Sequence, residues 1–373
     1  MIEFTALLSA VKPKERTDQY RILAALFHFN AHITPVSAKQ VNALLKLHCG
    51  KKMPTNVNSS LRAYTGYVEP VETGSSRLWS LTSKGLDRLR NLSGLPLSTT
   101  SDAKAFHTEI GIICALDHPE LAAVIKALGG PNAWKEVGNA RFAHVYRETS
   151  FTTNAGRRLR VIATTATSMG LTAAAIATTQ LVIHFCPRIV VMVGIAAGTR
   201  SGNKEYGDVL IADPSVDYNS GKVAIAGGIR EFLPDPYPIG LNPRLRSILH
   251  KYHGSHPIFA SIRKRWSGPH PKELNRLHVG PLGAADQVID DATRIEEIQK
   301  NWRKLIGVEM ETYGVYRACD EAPEPKPRFV SFKAVCDFAA EKTDSWQSYA
   351  AFVAAEFAVE FFKAEWDALW PCN

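Results

Sequence analysis

The sequence lacks the marks of secreted, membrane-spanning and zinc-binding proteins. Its N-terminus, MIEFTALLSAVKPKER, has no basic segment followed by a continuous apolar run, so we expect no signal peptide. No window approaches the ~18 consecutive apolar residues of a transmembrane helix, because Thr, Arg and Gly interrupt the richest stretches. The 6 cysteines are scattered without a CxxC pair. These absences predict a reduced, cytoplasmic protein with no membrane segment, no metal and no cofactor.

Positive charge is concentrated in the first quarter of the chain. The formal net charge is +8, with 44 Lys and Arg against 36 Asp and Glu. Residues 1–100 hold 13 of these bases and 6 of the acids, a balance of +7, and the rest of the chain holds 31 and 30. Such asymmetry favours an N-terminal module that meets an anionic partner, although a solvated basic surface explains it equally well.

Residues 1–93 show the element order of a small α+β domain. Apolar residues at helical spacing predict helices over residues 18–30, 37–48 and 54–65. The segments YVEPVE and RLWSL alternate with period two around a Thr-Gly-Ser-Ser turn, which indicates a hairpin. The segment SKGLDRLRNL then predicts a closing helix.

Three helices, a hairpin and a closing helix resemble the winged helix-turn-helix family, over about residues 3–93. The resemblance implies that the helix over 54–65 is the recognition helix with Arg62 exposed, and that Arg77 lies on the wing. Modules of this family bind DNA or RNA, or dock onto proteins. Both kinds of partner remain open, and docking is the favoured one.

The rest of the chain alternates strand and helix patterns after a predicted linker at residues 94–107. Within residues 108–373, short apolar runs such as EIGIICA, LRVIATTA, RIVVMVG and DVLIAD predict strands, and GLTAAAIATTQLVIHF predicts a long helix. This alternation predicts an α/β fold around a largely parallel or mixed sheet.

A glycine-rich run, VVMVGIAAGTRSGNKEYGDVLIAD, matches neither a dinucleotide-binding motif nor a Walker A loop. It predicts a buried strand that ends at Gly194, with Ala196 just beyond. Ligands of open α/β sheets lie at such strand ends, and small residues let a flat ring approach the backbone. Gly194 and Ala196 are therefore candidate ligand contacts, although a simple tight turn explains the run better when it is taken alone.

Five segments occur together in a diagnostic order: EIGIICAL, SMGLTAAA, VGIAAG with GDVLIAD, GVEMETYGVY and KAVCDFA. They resemble the nucleoside phosphorylase and methylthioadenosine nucleosidase superfamily over about residues 108–365. The resemblance implies a mixed β-sheet surrounded by helices. It also implies that an acid in Glu309-Met310-Glu311 binds a sugar. In this family a second acid, in a Ser-Asp or similar pair, acts on the purine. The resemblance implies that Asp337, in the pair Cys336-Asp337, has this role here.

The chemistry of N-glycosidic cleavage explains why such acids are needed. Protonation of purine N7 neutralises a poor leaving group, so Asp337 is the candidate general acid. Glu311 can accept hydrogen bonds from the ribose hydroxyls and places negative charge near the developing cation, while Met310 packs against the sugar and Glu309 lies beside it. Taken singly, Glu311 is explained as a helix N-terminal acid and Asp337 as a strand-end cap. Together, the two motifs favour the functional interpretation.

The resemblance also implies the base and its contacts. An Asp at the position of Asp337 accompanies 6-aminopurines in this family, so an adenine-containing substrate is expected. Val288 and Ile289 fall where the family packs the base and offers main-chain hydrogen bonds. Val288 stands in place of the usual aromatic residue, which predicts weaker stacking.

Hydrolysis is favoured over phosphorolysis. Family phosphorylases hold phosphate with arginines in two loops that read CALDHPE and TATSMG here, without an arginine. Family hydrolases use a Glu in the first loop to activate water. Strict alignment puts Pro119 at that position, so Glu120 is the favoured base and Asp117 the alternative. Thr167 matches a position that helps to orient the nucleophile.

The 5′ substituent of the substrate is open between a methylthioadenosine type and an AMP or ATP type. Lys342 and Trp346 follow Asp337 closely, and basic clusters stand at residues 157–160 and 263–265. Lys and Arg are the side chains that bind phosphate, so some of them could reach a 5′-phosphate chain, although solvated surface is the default interpretation for any one of them. Family members fused to a second domain include bacterial antiviral effectors that destroy ATP, and the architecture here is similar.

Three functional hypotheses follow. The first is an adenine-releasing hydrolase whose N-terminal module senses or docks onto a partner. The second is a nucleic-acid-binding regulator whose second domain only binds a purine nucleoside. The third is a phosphate-dependent phosphorylase. Because members of the family form dimers or hexamers, a homo-oligomer is expected.

Overall fold

The computed structural model divides the chain into two compact units, Met1–Ala105 and Phe106–Asn373. It describes residues 4–12, 17–29, 31, 35–49, 56–73, 76–93, 106–138, 142–200, 202–254, 256–338 and 344–371. The expected linker at 94–107 lies outside the described residues as far as residue 105.

The first unit has helices around a three-stranded antiparallel sheet with the order β1-β3-β2. The predicted helices, hairpin and closing helix are all present. Helix α2 is capped by Thr17, which accepts a hydrogen bond from the Tyr20 amide, and α4 is capped in the same way by Asn56. The elements are α1 (Phe4–Ser9), α2 (Asp18–His28), β1 (Val36–Ser37), α3 (Ala38–Cys49), α4 (Val57–Ala63), β2 (Val68–Thr73), β3 (Ser76–Leu81) and α5 (Ser83–Ser93).

The second unit is a mixed sheet surrounded by helices, which confirms the expected fold class. Its strands are β4 (Thr108–Cys114), β5 (Lys135–Val137), β6 (Tyr146–Thr152), β7 (Arg158–Thr165), β8 (Pro187–Gly198), β9 (Val209–Asp217), β10 (Gly221–Ala226), β11 (Ile229–Pro234), β12 (Leu277–Ala284), β13 (Gly307–Glu309) and β14 (Arg328–Phe338). Its α-helices are α6 (Ala122–Ala127), α7 (Leu171–Phe185), α8 (Pro243–Leu249), α9 (Ile258–Lys264), α10 (Ala292–Asn301), α11 (Thr312–Asp320) and α12 (Gln347–Leu369).

The main sheet has the order β13-β12-β9-β14-β8-β4-β7-β6-β5, and β10 and β11 form a separate hairpin. Strand β13 also pairs with β8, so β8, β14, β9, β12 and β13 close into a small barrel. Closure brings the short strand β13 beside the last residues of β8, where Val308 pairs with Ala197. It thereby joins two segments that are far apart in the chain.

Helices cover both faces of this sheet. The long helix α12 packs with β8 and β14 in one core cluster, and Phe357, Phe361 and Trp366 of that helix are fully buried. Helices α7 and α11 supply Leu181 and Val315 to a second cluster. Strands buried on both faces read as continuous apolar runs, which explains why β4, β8 and β14 were visible in the sequence.

Sequence patterns did not reveal every strand of the sheet. Strand β12 reads LHVGPLGA, and its internal glycine and proline weaken the strand signal. It is tolerated because the ladder with β9 shifts register between Gly280 and Leu282. The three-residue strand β13 is too short to carry a period, and it depends on pairing across the barrel.

Candidate active site

A cleft of about 250 Å³ lies where β8 and β14 end and where β13 leads into α11. It is polar on one side, where carboxyl groups converge, and apolar on the other. The lining residues are Ala115, Leu116, Glu120, Met169, Ile195, Ala196, Ala197, Gln287, Val288, Ile289, Val308, Glu309, Met310, Glu311, Cys336, Asp337 and Gln347.

Asp337 reaches the cleft because of an irregularity at the end of β14. The ladder pairs Val335 with Ala196 and Asp337 with Ala197, so Cys336 is an extra residue in β14. Such a bulge re-aims the side chains that follow it. Asp337 is half-buried, and the Cys336 thiol lies 3.5 Å from its Oδ2.

Glu311 is 4% exposed and is oriented from two sides. Its Oε1 accepts a hydrogen bond from the Gly170 amide at 3.2 Å, at the start of α7. Its Oε2 lies 3.1 Å from the Lys333 ammonium. One carboxylate therefore joins the N-terminal end of α7 to strand β14.

Glu309 holds the local backbone as well as lining the cleft. Its carboxylate accepts hydrogen bonds from the amides of Glu311 and Thr312, at 3.0 and 2.9 Å, at the start of α11. An acid there is stabilised by the helix dipole. These bonds fix the backbone of Glu311, so Glu309 is a structural support for its neighbour.

Lys333 is fully buried between these acids, with its Nζ 3.2 Å from Glu309 Oε2 and 3.1 Å from Glu311 Oε2. Burial opposes the charge of Lys333, but Glu311, Glu309 and Glu120 outweigh it and raise the pKa of the ammonium. Burial raises the pKa of Glu309, an effect that Lys333 opposes. The lysine therefore stays charged and holds the cluster of acids together.

Glu120 is buried to 1% exposure on the irregular turn Asp117–Leu121. Its carboxylate accepts amide hydrogen bonds from Ala115 and Leu116, at 2.7 and 3.0 Å, and from Ile195 at 2.9 Å. Burial raises the pKa of Glu120, against the effects of Lys333 and these amides.

Gly194 explains how this carboxylate fits. A Cβ atom on Gly194 would stand 2.2 Å from Oε1 of Glu120, so the backbone can come this close only without a side chain. Gly194 therefore makes room for Glu120, the candidate general base, and not for the flat ring of a ligand. Asp117, the alternative base, is exposed and does not line the cleft.

The apolar side of the cleft is formed as the motifs indicated. Val288 is 60% exposed and Ile289 is 7% exposed on the loop after β12, and both line the cleft with Ala196 and Met310. A flat ring can lie between these side chains. The predicted base and sugar contacts are therefore brought into one place.

Two predicted contacts do not line the cleft, and a third lies outside the described residues. Thr167 is exposed outside the cleft, where Met169 of the same loop is the lining residue. Trp346 stacks on Tyr206 with ring centroids 5.0 Å apart, and Gln347 next to it lines the cleft. Lys342 lies outside the described residues.

The two basic clusters also lie away from the cleft. Arg157 pairs with Asp367, and Arg160 pairs with Glu148. Arg265 bonds acids of α12, and Arg263 donates to backbone carbonyls. These contacts agree with the interpretation of the two clusters as solvated surface, and none of the four arginines lines the cleft.

Within the part of the chain that the structure describes, no lysine or arginine lines the cleft. Over the same residues, no group of three or more His, Cys, Asp or Glu side chains could hold a metal ion. None of the described helices has the length and apolarity needed to cross a membrane.

Comparison with known proteins agrees with this geometry. A family model described as the phosphorylase superfamily matches residues 109–362. The chain belongs to the phosphorylase superfamily. A 5′-methylthioadenosine/S-adenosylhomocysteine nucleosidase from Colwellia psychrerythraea, solved with adenine, has a TM-score of 0.52 at 18% identity, over 68% of this chain and 94% of that one. This likeness shows the phosphorylase fold.

Two curated relatives have a higher sequence identity to this chain. Protein y4jS of Sinorhizobium fredii is 31% identical over 67% of this chain and 60% of its own length. The ATP nucleosidase Cap17 of Escherichia coli is 26% identical over 76% of this chain and 57% of its own length. The chain thus spans less than two thirds of the length of either relative.

Sequence reasoning missed several residues of this superfamily site. Lys333 was passed over because a lysine in an apolar strand gives no sign of its partners until the fold closes. The motif KAVCDFA did contain it, and a lysine inside a buried strand is itself a signal that an acid must lie opposite. Met169 and Gln287 lie in loops, Gln347 is the first residue of α12, and no pattern in the sequence singled out any of the three side chains.

Proposed function

We propose that the second unit is an adenine-releasing N-glycosidase that hydrolyses an adenine nucleoside or nucleotide. One observation carries this proposal: Asp337, Glu311 and Glu120 line the same cleft, although they are far apart in the sequence. An acid for the purine, an acid for the ribose and a base for water are the groups that this reaction requires.

The proposed reaction begins at the purine. The O–H bond of protonated Asp337 breaks as a new N–H bond forms at N7, and the electron pair of the C1′–N9 bond passes to the base. Adenine leaves neutral, and positive charge develops on the sugar. Glu311 accepts hydrogen bonds from the ribose hydroxyls and stabilises that charge.

Water completes the reaction. Glu120 takes a proton from a water molecule as its oxygen bonds to C1′, which yields the free sugar. Amides hold the carboxylate of Glu120 on three sides, so it is pre-oriented before substrate arrives. A phosphate dianion has no cationic side chain to pair with among the described lining residues, which favours hydrolysis over phosphorolysis.

We further propose that the substrate carries 5′-phosphates, as in ATP. The ATP nucleosidase Cap17 matches 76% of the chain and a Death domain-containing ATP nucleosidase of Amphimedon queenslandica matches 49%, whereas methylthioadenosine nucleosidases match 47% to 62%. A groove of about 720 Å³ between the β10–β11 hairpin and α10 also touches Gln287. It holds Arg230, Arg294 and Lys300 alongside Asp217, Glu231 and Glu297.

Product chromatography tests the reaction. We expect free adenine from one or more members of a panel of adenosine, AMP, ATP, methylthioadenosine and S-adenosylhomocysteine, without added phosphate. A protein that binds these compounds and releases no adenine is a regulator. Turnover that depends on phosphate and yields ribose-1-phosphate identifies a phosphorylase.

The groove is tested separately. Arg230→Ala and Lys300→Ala should raise KM for ATP about tenfold and leave KM for adenosine unchanged, because each removes a charge beside the phosphates only. Arg158→Ala, on β7 outside the cleft, is the control. Equal KM changes for ATP and adenosine would place the phosphates elsewhere.

We propose that the first unit is a winged helix-turn-helix. Its three-stranded sheet with the order β1-β3-β2 and the hairpin after α4 support this. Arg62 on α4 and Arg77 on β3 are both exposed. The excess of basic residues in this unit favours an acidic partner, either nucleic acid or a protein surface.

A salt titration distinguishes these partners. Duplex DNA or RNA bound through phosphates loses affinity steeply as salt rises, and Arg62→Ala reduces both affinity and the salt slope. No binding to either duplex, with capture of an acidic protein, would instead support docking. Lys12→Ala, outside α4 and the hairpin, is the control.

Two further parts of the proposal concern the whole protein. Ile176 and Ile183 of α7 are 54% and 61% exposed on a face that also presents Thr172 and Thr179, which supports a homo-oligomer. Light scattering of the wild type and of Ile176→Glu tests this, and a monomeric wild type would refute it.

We also propose that the protein acts as an antiviral effector by destroying ATP. Phage plaque counts on bacteria that express the wild type or Asp337→Asn test that role.

A further inference from the structure

The thiol of Cys336 has two possible acceptors and a single proton. Its Sγ lies 3.5 Å from the carbonyl oxygen of Ala196 and 3.5 Å from Oδ2 of Asp337. Cys336 is 4% exposed, so water does not satisfy it. The bulge in β14 creates this arrangement, because it places an extra residue between the pairs Val335–Ala196 and Asp337–Ala197.

The two acceptors differ in strength according to the state of the acid. A protonated Asp337 is a weak acceptor, so the thiol then bonds the Ala196 carbonyl. A carboxylate is a stronger acceptor, because hydrogen bonds to ionised groups are the strong ones. The thiol itself stays protonated, because burial and the neighbouring Asp337 raise the pKa of Cys336.

Resting on the proposed function, we propose that Cys336 is a positioning residue for the general acid. Its thiol donates to Ala196 while Asp337 carries its proton, and it turns to Asp337 once that proton has moved to the purine. A thiol is a weak donor. It therefore stabilises the carboxylate form of Asp337 less than a serine hydroxyl would, which favours the protonated acid before substrate binds.

Other charged groups lie near Asp337, and they are the same in the wild type and in variants of Cys336. Glu120, Glu309 and Glu311 line the same cleft, and Lys333 is buried behind the glutamates. Arg200 stacks on the ring of Phe338, 3.7 Å from its centroid. Substitution of Cys336 by a neutral residue changes none of them, so any change in the titration of Asp337 reports on the thiol.

The test compares Cys336→Ser and Cys336→Ala with the wild type through the pH dependence of kcat/KM for adenine release. The alkaline limb marks ionisation of the acid. Serine should move this limb about half to one pH unit lower, because it is the stronger donor to the carboxylate, and alanine should move it higher by a similar amount. Cys319→Ser, a buried cysteine on α11 outside the cleft, should leave the limb in place.

A merely structural role does not move the limb in opposite directions in the two variants. An unchanged limb in both variants, or a shift of the same sign, overturns the proposal. Infrared difference spectra of wild type minus Asp337→Asn report the titration of the Asp337 carboxyl without turnover. The pH at which this carboxyl ionises should increase in the order serine, cysteine and alanine at position 336. A wild type that releases no adenine overturns the proposed function. An active wild type with unmoved carboxyl titration overturns only the role of Cys336.

Discussion

The two ends of the cleft are built in opposite ways. At the end proposed to bind the sugar, Glu120, Glu309 and Glu311 lie around the buried Lys333, and amides and the ammonium hold each carboxylate in place. At the end proposed to bind the purine, Asp337 projects from a bulge beside a weak thiol donor, and Val288 is 60% exposed.

This difference assigns two tasks to the two ends of the cleft: one end holds charges at fixed positions, and the other carries a proton that must be transferred. The sugar end must hold charge at fixed positions as a cation develops, so a network of buried charges suits it. The end proposed to bind the purine must hold a proton and then release it, so a weak thiol donor beside the carboxylate suits it. The same fold therefore surrounds one group of acids with amides and a buried ammonium and places another acid beside a thiol.

Asp337→Asn tests the purine end and should have the largest effect. The amide cannot protonate N7, so kcat should fall about a thousandfold. Affinity for adenosine, measured by calorimetry, should be largely spared because the side-chain shape is kept. Asp320→Asn, on the exposed end of α11, is the control. Undiminished adenine release in Asp337→Asn would remove this residue from the reaction.

Lys333→Met tests the sugar end through stability. Glu309 and Glu311 would lose their cation while remaining buried, which should lower the free energy of unfolding by about 3–5 kcal/mol. Denaturant titration measures this loss, and adding Glu309→Gln should restore part of it. Lys135→Met, which breaks an exposed pair with Glu148, should cost less than about 1 kcal/mol. Equal losses in the two variants would show that the buried cluster has no special role.

Glu120→Gln should lower kcat about a hundredfold and remove the acid limb of the pH profile. The base acts when ionised, and burial raises its pKa. Activity should therefore fall as the pH drops through that raised pKa, above the range of an ordinary glutamate. Asp117→Asn should keep both rate and limb. If the limb instead disappears in Asp117→Asn, Asp117 is the base.

Val288→Phe should have the smallest effect and should strengthen the purine end. A ring stacked on adenine adds about 0.5–1.5 kcal/mol, so KM should fall by about two- to tenfold with little change in kcat. Steady-state kinetics measures this, and Val145→Phe, at an exposed position just before β6, is the control. A higher KM in Val288→Phe would mean that the base does not lie against this residue.

Sequence patterns indicated the candidate catalytic acids better than the residues that hold those acids in position. Asp337 and Glu311 stood in motifs, and the apolar runs of β8 and β14 predicted the strands that position them. The bulge at Cys336 was not predictable, because a bulge is a property of the pairing between β14 and β8. The same holds for Lys333, whose partners are the last residue of β13 and the residue that precedes α11, and for the close approach of Gly194 to Glu120.

Loops account for the remaining errors. Thr167 was proposed from its match to a family position and Trp346 from its closeness to Asp337 in the chain, whereas local backbone geometry decides which neighbour faces the cleft. Met169 and Gln347 take those places. A period of two or 3.6 residues carries no information about such segments.

A crystal structure with a non-hydrolysable C-nucleoside analogue of adenosine tests the central claim most directly. The account predicts one analogue in the cleft, with the Asp337 carboxyl within about 3.2 Å of the atom equivalent to N7 and Glu311 within hydrogen-bond reach of the ribose hydroxyls. An analogue bound elsewhere, or one that reaches either carboxyl but not both, would contradict it.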